Sequence, residues 1–168
     1  MARERIVHPW PPLYAADSRV LILGTIPSAA SRAMGFYYGH PQNIFWRVLA
    51  EVVGMPEPKR DVETRRSFAL EHRIALWDVL HAASISGSSD ASITDPEPNR
   101  FAPLLAASDI TAIFTTGKTA THLFNRLCAH EAGMTAVYLP STSPANRAAQ
   151  AQPEFMAQWH QVAHALRV

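Results

Sequence analysis

The sequence predicts an α/β protein: a three-layer α/β/α sandwich around a central, four-stranded, mainly parallel sheet. Three observations predict it. Val20-Leu21-Ile22-Leu23-Gly24 is a short unbroken apolar run ending in glycine, the pattern of a strand buried on both faces. Three further short apolar runs follow at residues 74–79, 110–116 and 136–139. Helically spaced stretches separate them, and strands alternating with helices build a parallel sheet covered on both sides.

The elements follow in order. Residues 25–28 form a loop at the C-terminal end of the first strand, where ligands collect in open parallel sheets. Residues 28–34 read as a short helical turn. From Asn43, the apolar residues Ile44, Val48, Leu49, Val52 and Val53 recur on one helical face, and Gly54 and Pro56 stop it. Asp61 is the expected N-cap of a helix over 61–72 with Phe68 and Leu70 inward. Residues 84–99, rich in Ser, Asp, Pro and Gly, read as the longest loop. A short helix is expected over 101–107, and Gly117 opens one running to about Glu131. A last helix, 153–166, should bury Phe155, Trp159, Val162 and Leu166. No repeat or linker interrupts residues 1–168, which reads as one domain and a monomer. Loops 25–28, 78–81, 116–118 and 140–147 end the four strands. With residues 36–46 they are expected to line one crevice.

Composition narrows the class. Of 168 residues, 48% are hydrophobic and 17% charged, which excludes a disordered tail. No apolar run approaches the roughly 18 residues of a membrane span. The start, Met1-Ala2-Arg3-Glu4-Arg5, lacks the apolar core of a signal peptide. The lone cysteine, Cys128, lies between Leu127 and Ala129 and reads as a small buried side chain. Both points fit a reducing cytoplasm. Net charge is only +1, so no overwhelming basic field attracts nucleic acid. The only lysines are Lys59 and Lys118, among fifteen basic residues. Arginine suits bidentate phosphate contacts, and a high-GC coding bias accounts for the excess equally well.

The densest chemistry lies in Phe36-Tyr37-Tyr38-Gly39-His40-Pro41-Gln42-Asn43-Ile44-Phe45-Trp46-Arg47. Rings, a glycine, a histidine and an amide in one turn-like run suit a flat ligand. His40 either faces that site or holds the turn through a backbone hydrogen bond. Asn43 either caps the following helix or positions water. Asp78, at a buried strand end, needs a partner: it caps the next segment or accepts a ligand N–H. Thr116-Gly117-Lys118-Thr119 is not a triphosphate loop, because Ala112 stands where that motif needs glycine. Lys118 at a helix N-terminus still suits a single phosphate. His160 and His164 are spaced like metal ligands but have no Glu between them and read as a solvated face, so no metal and no cofactor are expected. Ser141, Thr142 and Ser143 lack the elbow of a nucleophilic serine. They fit a turn of small hydroxyls against phosphates.

Three segments together carry a resemblance. Gly24-Thr25-Ile26-Pro27-Ser28, then residues 36–46, then Pro140-Ser141-Thr142-Ser143-Pro144-Ala145-Asn146-Arg147 resemble the uracil-DNA glycosylase superfamily. The order and spacing are most similar to its hypoxanthine-DNA glycosylase branch, with the mismatch-specific uracil glycosylases as near relatives. The resemblance spans roughly residues 20–147 and implies a monofunctional DNA glycosylase acting on DNA with a deaminated base. It implies a base pocket at Gly24, Thr25, Ile26, Pro27, Tyr38, Asp78 and Ser141, with Tyr38 stacking on the flipped base. Ile26 stands where relatives carry Asp or Asn, so the resemblance passes the catalytic role to Asn43. DNA contacts are expected at Ser28, His40, Lys118 and Ser143, and the resemblance implies a duplex-entering loop of Pro144, Ala145, Asn146 and Arg147. The apolar Ile26 leaves a second reading open, a non-catalytic nucleic-acid or nucleotide-binding module on the same fold.

Overall fold

The computed structural model describes residues 2–87 and 89–168. Its central sheet is formed by Val20–Gly24 (β2), Ile74–Asp78 (β3), Ala112–Thr116 (β6) and Val137–Leu139 (β7). The order is β3-β2-β6-β7, and every pair is parallel. Alternation along the strands divides the core in two. Val20, Ile22, Ile74, Leu76 and Phe114 face one cluster, while Leu21, Leu23, Ala75 and Ile113 face the other.

Helices cover both faces. On the first lie Phe45–Val53 (α2), Val62–Glu71 (α3) and Pro153–Arg167 (α8). Phe45, Trp46, Phe155 and Trp159 are nearly inaccessible there. Leu166, expected inside, is only partly buried against this cluster. On the second face lie Ala102–Ala106 (α4) and Lys118–Leu127 (α5). The expected helix to Glu131 breaks at Cys128, and Ala129–Ala132 (α6) follows as a separate turn. The break frees Glu131 to accept from the Phe101 and Ala102 N–H groups at 2.8 Å, an anion on the first turn of α4. Asp61 caps α3 as expected, its carboxylate accepting from the Thr64 N–H at 2.8 Å.

The loop expected at 84–99 is wrong. Arg3–Val7 (β1), Leu80–Ser86 (β4) and Thr94–Pro98 (β5) form a second, antiparallel sheet in the order β1-β4-β5. Its edges hide themselves in the sequence. β1 is mostly charged and exposed, and β5 reads Thr-Asp-Pro-Glu-Pro. Charge and proline are what exposed edge strands tolerate, because nothing pairs with their outer side. Only Val79 separates β3 from β4, so the chain leaves the parallel sheet and enters the antiparallel one almost without a turn. No helix of the described residues is long and apolar enough to cross a membrane.

Candidate active site

The parallel register brings Gly24 level with Asp78 at the C-terminal end of the sheet. A Cβ on Gly24 would lie 2.7 Å from Asp78 Oδ1 and 3.5 Å from the Tyr38 hydroxyl. Glycine is therefore required for the carboxylate and the phenol to converge over β2. Tyr38 adopts a left-handed backbone with φ 54°, which costs on the order of 1–3 kcal/mol in a non-glycine residue. Its ring stacks on Phe45, with centroids 3.7 Å apart and planes 10° apart. Its hydroxyl reaches Thr116 Oγ1 at 3.4 Å. The ring thus spans the crevice from α2 to β6. Burial, and after it the charge of Asp78, holds the Tyr38 phenol well above the ordinary tyrosine range, so it is a neutral donor.

Asp78 is 5% exposed. Its Oδ2 lies 2.7 Å from His8 Nε2, and His8 Nδ1 lies 2.8 Å from the Trp10 carbonyl. A carbonyl only accepts, so Nδ1 donates. Nε2 faces the carboxyl oxygen, so the His8 ring bridges Asp78 to the Trp10 carbonyl and fixes the direction of the carboxyl group. The Asn99 amide donates to the Asp78 backbone carbonyl at 2.9 Å. No described hydrogen bond uses Oδ1, which faces Gly24 and the side of Tyr38.

Asn43 is half-buried. Its Oδ1 accepts from the Phe45 N–H at 2.9 Å, so it does cap the helix, from one residue further out than a simple N-cap. No described hydrogen bond uses its Nδ2 group. His40 Nδ1 accepts from the Gln42 N–H at 3.0 Å, which leaves the proton on Nε2. The Ile44 N–H donates to the Thr142 carbonyl at 3.1 Å and ties the aromatic run to the last loop.

The remaining predicted residues fall around this centre. Thr25 donates to Asp90 at 3.0 Å. Ile26 packs against the second core cluster, and Pro27 is buried with its carbonyl accepting from Arg32 at 2.9 Å. Ser28 caps Ala29–Met34 (α1) by accepting from the Ser31 N–H. Ser141 Oγ accepts from the Ser143 N–H, and Ser143 Oγ from the Ala145 N–H. The Asn146 and Gln150 amides both turn inward to the Ser141 carbonyl. Pro144 opens the turn that Ala145 and Arg147, both exposed, present to solvent. Lys118 is exposed at the start of α5, in a groove shared with Asp90, His122 and Arg126. His160 and His164 lie exposed on α8.

Sequence reasoning missed His8 as a neighbour of the site, and it gave Thr116 and Phe45 no individual role within the crevice segments 116–118 and 36–46. Nothing local marks His8 as the partner of a residue 70 positions away. The proline-rich setting of Pro9-Trp10-Pro11-Pro12 was the one available signal of a fixed, packed arm.

Comparison with known proteins decides the family. The uracil DNA glycosylase superfamily model matches residues 11–164. The chain belongs to that superfamily. A hypoxanthine DNA glycosylase from Methanosarcina acetivorans is 34% identical over 139 residues, covering 82% of this chain and 87% of that one. One from Methanosarcina barkeri is 36% identical over 95 residues, covering 56% of this chain and 60% of that one. The fold agrees with a Methanosarcina acetivorans protein solved by solution NMR as a candidate uracil DNA glycosylase. The TM-score is 0.78 at 31% identity, covering 95% of this chain and 97% of that one. The expected fold class and family are both borne out, and superfamily membership makes the chain a DNA glycosylase.

Proposed function

We propose that this superfamily member excises hypoxanthine, and with it uracil, by flipping the nucleotide into the crevice between Gly24, Tyr38 and Asp78. The observation that carries the reading is the state of Asp78. With Oδ2 held by His8 and Oδ1 uncommitted beside Gly24, the carboxylate is an oriented acceptor for one N–H. Hypoxanthine N1–H and uracil N3–H offer that group on the ring, whereas the corresponding ring nitrogens of adenine and cytosine carry no hydrogen. The relatives named hypoxanthine DNA glycosylases support the choice of base.

Extrusion costs a few kcal/mol, and stacking against Tyr38 offsets part of it. The exposed Ala145 and Arg147 fill the gap left in the duplex, while Ser28, His40, Lys118 and Ser143 hold flanking phosphates. Cleavage is dissociative: the base leaves as an anion and the sugar becomes cationic. Backbone N–H groups after Gly24 stabilise the departing base, a kind of donor worth about 2.7–4 kcal/mol in comparable sites. Asn43 cannot take a proton at neutral pH. Its uncommitted Nδ2 and the second lone pair of Oδ1 orient the water that meets C1′. Ile26, apolar and packed against the second core cluster, takes no part in the chemistry. The protein works as a single domain and a monomer.

The test is an excision panel of hypoxanthine, uracil, xanthine and mismatched thymine in single- and double-stranded oligonucleotides. Abasic product from hypoxanthine and uracil is expected. Binding to the modified DNA without product from any base would favour the non-catalytic module instead.

A further inference from the structure

A second cleft runs past Asn43. Four of its lining side chains are arginines, Arg47, Arg60, Arg65 and Arg147, and its one carboxylate is Glu57. Arg65 is the unusual member. It projects from α3 on the same face as Phe68 and Ala69 and is only 5% exposed. Its guanidinium carbon lies 5.3 Å from the centre of the Trp46 ring, and one N–H points at Met34 Sδ from 3.8 Å. Its Nε is buried without a hydrogen-bond partner. Among the described residues no carboxylate forms an ion pair with it. Burial lowers its pKa and the nearby Arg60 lowers it further, while the more weakly acting Glu57 and Asp61 pull it back up in part.

A buried guanidinium with no carboxylate in direct contact is a cost to the fold, which Glu57 and Asp61 offset only from a distance. The Trp46 face fixes its orientation but does not neutralise it. A phosphodiester does both remaining jobs, since its two free oxygens match the planar fork of arginine and supply the missing negative charge. The cleft also reaches the candidate chemistry. Asn43 lines it, and Arg60 donates to the Gly39 carbonyl at 2.5 Å, inside the turn between Tyr38 and Asn43.

We propose that the cleft seats one backbone phosphate of the DNA beside the extruded nucleotide, with Arg65 as the fixed anchor and Arg47, Arg60 and Arg147 around it. The inference rests on the chain acting on DNA and names the partner group at that same site. Ligand charge, and not a protein carboxylate, completes the Arg65 site. Filling it loads the 39–43 turn through Arg60.

The test is a scan of duplexes carrying one hypoxanthine, in which each phosphate near the lesion is replaced in turn by a neutral methylphosphonate. Affinity is read by fluorescence anisotropy over a range of salt. The proteins compared are wild type, Arg65→Met, Arg60→Gln and Arg167→Gln, the last a charge control at the far end of α8. Arg65→Met and Arg60→Gln should each weaken binding about tenfold and lower the salt slope by about 0.9. One methylphosphonate position should weaken wild type by a similar factor yet leave Arg65→Met unaffected. Arg167→Gln should respond to that position as wild type does. If every methylphosphonate acts equally on wild type and Arg65→Met, the cleft holds no phosphate. Arg60→Gln carries the same comparison should Arg65→Met melt early. Hypoxanthine excision by wild type separates the two ideas. Excision without coupling overturns the phosphate site, whereas coupling without excision overturns the proposed substrate and leaves the site standing.

Discussion

Asp78 and Arg65 are both charged and both 5% exposed, yet the fold treats them in opposite ways. Asp78 meets the His8 ring at 2.7 Å, and its backbone carbonyl is held by Asn99. Arg65 meets a ring, a sulfur and other arginines. A buried charge that is paired within the chain has been given a fixed position. One left unpaired is held for something that arrives from outside. On the proposed function, the first is a group that reads a base edge without moving. The second describes a group that waits for an anion.

The sharpest way to break this comparison is His8→Leu. It removes the side-chain partner of the buried Asp78 carboxyl and should cost about 3–5 kcal/mol in urea denaturation. A loss within ~0.5 kcal/mol, the range of surface substitutions, would mean the pair is not ionic. Tyr38→Ala removes the ring stacked on Phe45 and should cost about 1–3 kcal/mol in binding DNA with a flipped base, whichever base is used. A loss confined to one base would make Tyr38 a reader and not a platform. Arg65→Met should have the opposite sign to His8→Leu: thermal melting unchanged or raised, because an unpaired charge is exchanged for packing. A large destabilisation would place Arg65 with Asp78 as a structural charge.

The smallest effect concerns pH. Burial raises Tyr37 and Tyr38 far above the ordinary tyrosine range, and Asp78 adds to both. A raised folded pKa means the neutral phenols are favoured by the fold. Their contribution is complete below the unfolded value near pH 10 and is lost as pH rises beyond it. Ring carbon shifts of both residues should therefore stay constant from neutral pH to about pH 10. Titration of Tyr38 within that range would remove the closed, low-dielectric crevice on which the account depends.

The parallel sheet was legible because its strands are buried on both faces and carry no polar alternation. The antiparallel sheet was not, because Arg3, Glu4 and Arg5 on one edge and Pro96 and Pro98 on the other are what protected edges require. The site followed the same division. Gly24, Tyr38, Asn43 and Asp78 lie in short local patterns and could be picked out. His8 could not, since only the fold brings it to Asp78. Arg65 was closer to legible: it shares the i, i+3, i+4 spacing of Phe68 and Ala69 on the inward face of α3. An arginine at such a position is a sequence signal of a buried charge.

The central claim is that the amide of Asn43 supplies the water positioning that the apolar Ile26 cannot. Single-turnover excision of hypoxanthine from duplex DNA by wild type and Asn43→Ala measures it directly. The account predicts clean abasic product from wild type and a rate lower by roughly 10²-fold in Asn43→Ala. Equal rates from the two proteins would contradict it and return Asn43 to its role as a helix cap.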